Sequence, residues 1–381
     1  MDKAAFNRHR RGELISDASL NPELPETLPY DMRDEMNWVD FSTPANPLGT
    51  PPEFLKAFQK ALLRGEISYR PDRNAYAFRR SIASYFEIPF ESIICGMSPT
   101  QMIEAAAQSF PITNVGLSVP CPIEYEMALS NAGHGITTFS NPFSFAACDY
   151  AMARKQSSDF NAVLLAHPAF PTSRLVSEEM VREYLEECDW VIIDESYLEL
   201  SLSGESFIPL TEEYSNLIIV RNPSVTFSLE GTPIAYLVAH PDTAERIRAF
   251  YDSTGISMFA ELISTEMVNQ LSYLEHTHAY LDKEIPWLQC MLSLIPGMHI
   301  NPAEGSFVLC SFRPTAGMVL GVKNADELLS RLQLNGYLVP LLSRTAGIEG
   351  DDFFCISCRT HVTNQSLLTA MKKIITNHVL Q

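Results

Sequence analysis

One carboxylate in this sequence stands where α/β proteins bind ligands. The run Trp190–Asp194 places four apolar or β-branched positions directly before Asp194. Such a run is typical of a strand covered on both faces, and the carboxyl end of that strand is where open α/β sheets bind small molecules. Asp194 is therefore a candidate binding residue. The alternative is a helix N-cap or a loop carboxylate, because aspartate is favoured in both.

The surrounding elements alternate between short β-branched runs and helical patterns. Seven runs are predicted strands: 92–95, 115–119, 135–139, 162–166, 190–194, 217–220 and 234–239. Helical patterns occur at 52–63, 102–110 and 177–187, and a long helical tract runs from 241 to about 293. A final α+β portion has strands at 306–312 and 353–357 and helices at 326–335 and 364–380. This alternation predicts βαβ units around a mostly parallel sheet.

Composition excludes several classes of protein. A length of 381 residues predicts one large domain with a smaller one, and a net charge of -19 argues against nucleic-acid and anionic-membrane partners. Eight cysteines without metal-ligand spacing predict neither a disulfide scaffold nor a metal site. We find no secretory leader and no apolar run of about 20 residues. These observations predict a cytoplasmic protein.

The segment 216–239 resembles a known family. It carries Arg221, the pair Ser224-Val225, then Gly231 and Tyr236. This pattern is similar to the fold-type I, pyridoxal-phosphate-dependent aminotransferases (class I/II), in the branch of threonine-phosphate decarboxylase and histidinol-phosphate aminotransferase. In that family a lysine holds the cofactor as a Schiff base. The register places Val225 at the lysine position, and a valine cannot form that bond.

The resemblance implies a large domain built on a seven-stranded, mainly parallel sheet and a small α+β domain. We predict an N-terminal arm at 1–45 that belongs to the small domain, the large domain at 46–275 and the small C-terminal domain at 276–381. The family builds its site at a subunit interface, so the resemblance also implies a homodimer. In the family pattern Asp194 pairs with the pyridine nitrogen of the cofactor, and Tyr197 contacts its phenolic oxygen or packs.

Several positions depart from the family pattern. Phe170 replaces an asparagine that donates to the ring oxygen. Pro99, beside Thr100, removes an N–H from the phosphate cup, and Pro233 replaces an arginine. The ring-stacking aromatic position falls on Pro122 or Ile123, next to Tyr125, and Cys355 replaces the arginine that binds the substrate carboxylate. No lysine occurs between Lys155 and Lys283. We therefore expect no covalently bound cofactor and regard pyridoxal phosphate as a doubtful ligand.

The catalytic residue is unknown in this interpretation, and the pocket candidates are those that the register brings near the family's site. They are Tyr69, Thr100, Tyr125, His167, Phe170, Asp194, Tyr197, Ser224, Cys355 and Arg359. His167, Arg174 and Arg359 could form a new anion site. For each of them the alternative is a structural role, since single arginines usually lie on solvated faces and a histidine beside proline is often structural. Tyr69 matches a tyrosine that reaches the phosphate in the partner subunit.

Three functions remain open. In the first, the chain has lost aldimine chemistry and binds or transforms a small amino-acid-like or phosphorylated metabolite in the former cofactor cleft. In the second, it is a noncatalytic subunit or regulator that acts through its dimer surface, with a catalytic paralogue as a possible partner. In the third, it is an aminotransferase or decarboxylase that uses noncovalently bound pyridoxal phosphate. A cleft filled by Phe170, Pro122 and Pro233 favours the second function.

Overall fold

The fold is that of a computed structural model of the 381-residue chain. The residues described are 38–140, 159–251, 256–267, 269–314, 320–342, 345–348 and 352–376. Most of the predicted N-terminal arm, residues 1–37, lies outside these ranges, as do residues 377–380 of the last predicted helix.

Strands and helices alternate through the described residues. The strands are β1 (Val39–Asp40), β2 (Ile93–Gly96), β3 (Asn114–Val119), β4 (Gly135–Ser140), β5 (Ala162–Ala166), β6 (Trp190–Asp194), β7 (Leu217–Arg221), β8 (Ala235–Ala239), β9 (Met298–Ile300), β10 (Phe307–Phe312), β11 (Tyr337–Leu338) and β12 (Phe353–Ser357). The α-helices are α1 (Pro52–Leu63), α2 (Tyr76–Phe86), α3 (Pro99–Gln108), α4 (Ile123–Asn131), α5 (Glu178–Glu187), α6 (Pro223–Thr226), α7 (Pro241–Arg248), α8 (Met258–Met267), α9 (Leu271–Ser293), α10 (Ala325–Leu334) and α11 (His361–Thr376).

A seven-stranded sheet forms the centre of the molecule, in the order β2-β8-β7-β6-β5-β3-β4. β8 is antiparallel to both of its neighbours, and the other pairs are parallel. Every residue of β6, β7 and β8 is buried, as expected for strands covered by helices on both faces. The predicted α/β class and the seven-stranded, mainly parallel sheet are confirmed.

A second, smaller sheet lies in the C-terminal part of the chain. β10 pairs antiparallel with both β9 and β12. Side chains of α9, α10 and α11 pack on this sheet in one apolar cluster. β9 was not predicted, because it has only three residues and follows α9 closely. The long helical tract predicted from residue 241 consists of three helices, α7, α8 and α9.

The N-terminal end of the described chain joins this smaller part of the molecule. β1 pairs in parallel with β11, so Val39 lies opposite Tyr337. The assignment of residues 1–45 to the small domain stays a prediction. Helix α9 crosses position 275, and the domain boundaries at 45 and 275 stay predictions.

Candidate functional site

Asp194 ends β6 and is almost completely buried, with 4% of its surface exposed. Its Oδ2 accepts a hydrogen bond of 2.6 Å from the hydroxyl of Tyr125 on α4. Its Oδ1 accepts one of 2.8 Å from the N–H of Ser196, and a second from the Ser196 hydroxyl. Burial raises the pKa of Asp194, and these hydrogen bonds act in the opposite direction.

The Asp194 carboxylate keeps capacity for a ligand. A carboxylate has about four acceptor positions, and three of them are used here. Within the described ranges no arginine, lysine or histidine forms an ion pair with it. A buried carboxylate without a cationic partner is costly, so a cation at its free position would stabilise the charged form.

Tyr197 lies three residues after Asp194, and its hydroxyl has no hydrogen-bond partner among the described residues. Burial and the nearby Asp194 charge raise its pKa well above the usual range, so the hydroxyl stays protonated at neutral pH. Asp194 and Tyr197 are thus brought together, one as a hydrogen-bond acceptor and the other as a donor.

An aromatic wall covers the other side of Tyr197. Its ring centroid lies 6.2 Å from that of Phe170 and 5.3 Å from that of Phe307 on β10. Cys355 on β12 belongs to the same apolar cluster and is only 1% exposed. Burial raises the pKa of this thiol, which therefore stays neutral. Cys355, at the position that the resemblance gives to an arginine, is thus part of the apolar packing.

Val225 lies in the four-residue helix α6, directly after β7, and is 4% exposed. Its side chain belongs to the apolar cluster of the small sheet, which also contains Leu200 and Phe41. The neighbouring Ser224 hydroxyl donates to the carbonyl of Ile234 at 3.1 Å and accepts from its N–H at 2.8 Å. Ser224, a predicted pocket residue, thus fixes the α6 turn to the chain before β8.

The start of α3 is where the family pattern places the phosphate cup. The Ser98 hydroxyl accepts from the N–H of Gln101 at 3.2 Å, and Gln101 Oε1 accepts from the N–H of Met97 at 3.1 Å. Pro99 has no N–H to donate. The helix start therefore lacks one N–H donor, and the N–H groups of Met97 and Gln101 already have partners. Thr100 and Pro233 border an open pocket of about 670 Å³ on this side.

His167 has a structural role. Its Nδ1 accepts a hydrogen bond of 2.9 Å from the N–H of Val176. Its Nε2 lies 3.1 Å from the carbonyl oxygen of Glu205 and must donate to it, so the ring is neutral. Burial lowers its pKa, which favours the same state. The ring has no free nitrogen for a ligand.

The arginines considered for an anion site are also engaged. Arg359 donates to the carbonyl of Asp40 at 2.6 Å and to that of Thr43 at 2.7 Å, with longer bonds to Ala45 and Cys358. Arg174 pairs with Glu304 at 3.3 Å. His167, Arg174 and Arg359 therefore bind other parts of the chain, and we no longer propose an anion site built from them.

Tyr69 is 71% exposed at the surface, and its role toward a partner subunit stays a prediction. Ser196 was missed, although an Asp-x-Ser sequence at a strand end favours a local turn in which the serine bonds back to the aspartate. Tyr125 was predicted as a pocket residue, but its bond to Asp194 was not.

The chain matches the family described as aminotransferase class I and II over residues 36–371, and it belongs to that family. It is 22% identical over 355 residues to a histidinol-phosphate aminotransferase of Caldanaerobacter subterraneus subsp. tengcongensis, covering 92% of this chain and 95% of the relative. The crystal structure of L-threonine-O-3-phosphate decarboxylase from Porphyromonas gingivalis is similar with a TM-score of 0.76 and 19% identity, covering 88% of this chain and 98% of that chain. The resemblance drawn from the sequence is confirmed.

One expectation is corrected by these comparisons. We regarded pyridoxal phosphate as a doubtful ligand for this chain. A histidinol-phosphate aminotransferase from Sinorhizobium meliloti, solved in complex with pyridoxal 5'-phosphate, has the same fold with a TM-score of 0.76 and 17% identity, covering 95% of this chain and 98% of that chain. With the family match, it makes pyridoxal phosphate the cofactor to expect, so the doubt was wrong.

Two side chains at the end of β6 have the polar groups that this cofactor needs. The free acceptor position of the buried Asp194 suits a protonated ring nitrogen, and the unpartnered Tyr197 hydroxyl suits an oxygen on the ring. The α3 end keeps Thr100 at a helix start, with fewer free N–H groups than the family pattern.

Among the described residues, no helix is long and apolar enough to cross a membrane.

Proposed function

We propose that this chain binds pyridoxal phosphate noncovalently and holds a small amine-bearing or phosphorylated metabolite beside it. The observation that carries the proposal is the pair formed by the cation-free, buried Asp194 and the unpartnered Tyr197 hydroxyl. Asp194 would hold the ring nitrogen in its protonated form, and Tyr197 would donate to the phenolic oxygen. When bound, the cofactor supplies an electron sink for the bonds of a substrate amine.

The absence of a covalent link rests on position 225. Val225 has no amine, and no lysine occurs between Lys155 and Lys283, the interval that contains Asp194 and Tyr197. Valine also cannot accept or donate a proton. In this proposal the chain binds and orients the cofactor through Asp194, Tyr197 and the start of α3, and the apolar wall of Phe170 and Phe307 excludes water from the Tyr197 side.

A second candidate is a noncatalytic subunit or regulator. It is favoured by the apolar packing of Phe170, Tyr197, Phe307 and Cys355, which leaves no charged group of that cluster for a substrate carboxylate. In this candidate function the chain forms a homodimer in the cytoplasm and has a catalytic paralogue as a possible partner. Cross-linking and sedimentation in the analytical ultracentrifuge would measure the oligomeric state of the purified chain.

The test is a titration of the purified protein with pyridoxal phosphate, followed by absorbance and by calorimetry. We expect saturable binding that Asp194→Asn weakens by at least tenfold, because a charge-assisted bond is worth about 1.5–3 kcal/mol. The matched control is Asp189→Asn, an exposed aspartate just before the same strand, which should bind like the unchanged protein.

Borohydride reduction and mass measurement then decide how the cofactor is held. We expect the mass of the protein to stay unchanged after reduction and denaturation. A pyridoxyl-lysine adduct at one site would overturn the noncovalent part of the proposal. No saturable binding at millimolar pyridoxal phosphate would overturn the proposal itself and favour the second candidate.

A further inference from the structure

A separate small cavity lies behind α6, away from Asp194. Its volume is about 40 Å³. The ends of α2 and α8, the start of α9 and the residues around α6 enclose it, and its lining includes Phe86, Phe227, Met267, Leu271 and Leu274. Most of this wall is aromatic or aliphatic. Neither Asp194 nor Tyr197 borders it.

The polar side of the cavity is a charge cluster in which Arg221 and Glu195 are buried and Glu199 is partly exposed. Arg221, at the end of β7, donates through Nη1 to Oε2 of Glu195 at 2.5 Å and pairs through Nη2 with Glu199. Glu195 also accepts from the Ser206 hydroxyl and the N–H of Phe207. One arginine faces two carboxylates, so the formal charge of the cluster is −1. Of its two carboxylates, Glu199 is the one that borders the cavity.

A hydroxyl without a partner also faces this space. Tyr236 on β8 lines the cavity and is 3% exposed, and its hydroxyl makes no hydrogen bond to any described residue. Burial raises its pKa to about 12, with the Arg221 charge acting in the opposite direction, so it is protonated at neutral pH. The hydroxyl belongs to a buried residue that lines the cavity, so it is available to bond to a ligand held there.

We propose that this cavity binds a small primary amine with a short apolar chain. An ammonium group would neutralise the excess negative charge, donate to Glu199 and to the Tyr236 oxygen, and place its carbons along Phe86 and Leu274. The volume suits such a ligand, since about 10–15 Å³ holds one water molecule and 40 Å³ therefore holds a head group and a few atoms more. Exposed Tyr85 and Leu271 form the mouth.

The negative charge of the Glu195–Arg221–Glu199 cluster determines which ligands the cavity prefers. A carboxylate of the same length would add a second excess negative charge to a buried site, which is strongly unfavourable. A neutral alcohol would bond to Tyr236 but leave the excess charge of the Glu195–Arg221–Glu199 cluster unpaired. The expected order of affinity is therefore amine, then alcohol, then carboxylate.

The test compares n-butylamine, butan-1-ol and butyrate at pH 7 by ligand-observed NMR and calorimetry on the protein without added pyridoxal phosphate. We expect n-butylamine to bind saturably and butyrate not to bind. Tyr236→Phe, which removes only the hydroxyl, should weaken n-butylamine about tenfold. Leu271→Trp, at the exposed mouth, should weaken it further by narrowing the entrance, and Tyr76→Phe on α2 is the matched control.

The outcomes separate this site from the Asp194 cleft. Asp194→Asn should leave n-butylamine binding unchanged, because Asp194 does not border the cavity. The inference would be overturned if Asp194→Asn no longer bound n-butylamine or if butyrate bound as well as n-butylamine. It would also be overturned if n-butylamine binding were unchanged in both Tyr236→Phe and Leu271→Trp. So would the absence of n-butylamine binding at tens of millimolar. None of these results depends on whether pyridoxal phosphate binds.

Discussion

The hydroxyl of Tyr125 lies 2.6 Å from Oδ2 of Asp194 and donates a hydrogen bond to it. This bond joins the first turns of α4 to the end of β6, two elements that are 69 residues apart in the sequence. It fixes the direction of the carboxylate and leaves a single acceptor position open. The cleft is therefore defined by a contact between two residues and not by Asp194 alone.

We expect Tyr125→Phe to lower the free energy of unfolding by about 1–3 kcal/mol, since it removes a hydrogen bond to a buried, charged acceptor. Urea denaturation measures the change. Tyr76→Phe, at an exposed tyrosine on α2, is the control and should change stability by less than about 0.5 kcal/mol. Equal stabilities of the two variants would show that the bond contributes nothing.

The Asp194 carboxyl predicts a pH dependence of stability. Its pKa in the folded protein is raised by burial, so the folded state binds the proton more tightly than the unfolded state. Its contribution to stability is fully present below the unfolded pKa of about 3.9 and is lost as pH rises through the higher, folded pKa. Asp194→Asn abolishes this titration.

As pH rises from 4 to 7, the unchanged protein should therefore lose stability that Asp194→Asn does not lose. The melting temperature of the variant minus that of the unchanged protein should increase over this range. Calorimetric scans of both proteins without added cofactor across that range measure it. Asp189→Asn should show no such trend, because Asp189 is exposed. A constant difference for Asp194→Asn would contradict a raised pKa.

Val225→Lys should not restore efficient turnover of any common amino acid. The new amine enters an apolar cluster, while Pro99, Phe170 and Cys355 still lack the groups of the family pattern. Burying a lysine in such surroundings shifts its pKa by up to about 3–5 units, which costs several kcal/mol. We expect a loss of about 3–5 kcal/mol in unfolding free energy by this argument. Val225→Met is the control of similar bulk without charge, and efficient turnover by Val225→Lys would refute the prediction.

Arg359 connects the chain after β12 to the segment 40–45 through its guanidinium. Arg359→Gln should lower the free energy of unfolding by about 1–3 kcal/mol, because it leaves several partly buried carbonyl groups without their charged donor. Hydrogen exchange should rise at amides 39–46. Arg313→Gln breaks an exposed pair with Asp352 and should cost less than about 1 kcal/mol. Unchanged exchange at 39–46 in Arg359→Gln would contradict the structural role.

The sequence by itself determined the strands of the central sheet and the α/β class of the fold. The runs that form β5 and β6 were predicted with their observed bounds, because strands buried on both faces must be apolar throughout. It also determined what chemistry is absent, since Val225 and Pro99 lack an amine and an N–H whatever the fold. The antiparallel direction of β8 could not be predicted, because its apolar run is compatible with either direction.

Only the tertiary structure decided which polar groups are free. His167, Ser224 and Arg359 were candidates by type and position, yet their hydrogen bonds are made to distant backbone groups. Tyr236 looked like a family marker, and its free hydroxyl beside Arg221 became visible only with the cavity behind α6. The physical reason is that availability depends on what lies within about 3 Å of each polar atom, and long-range packing sets those neighbours.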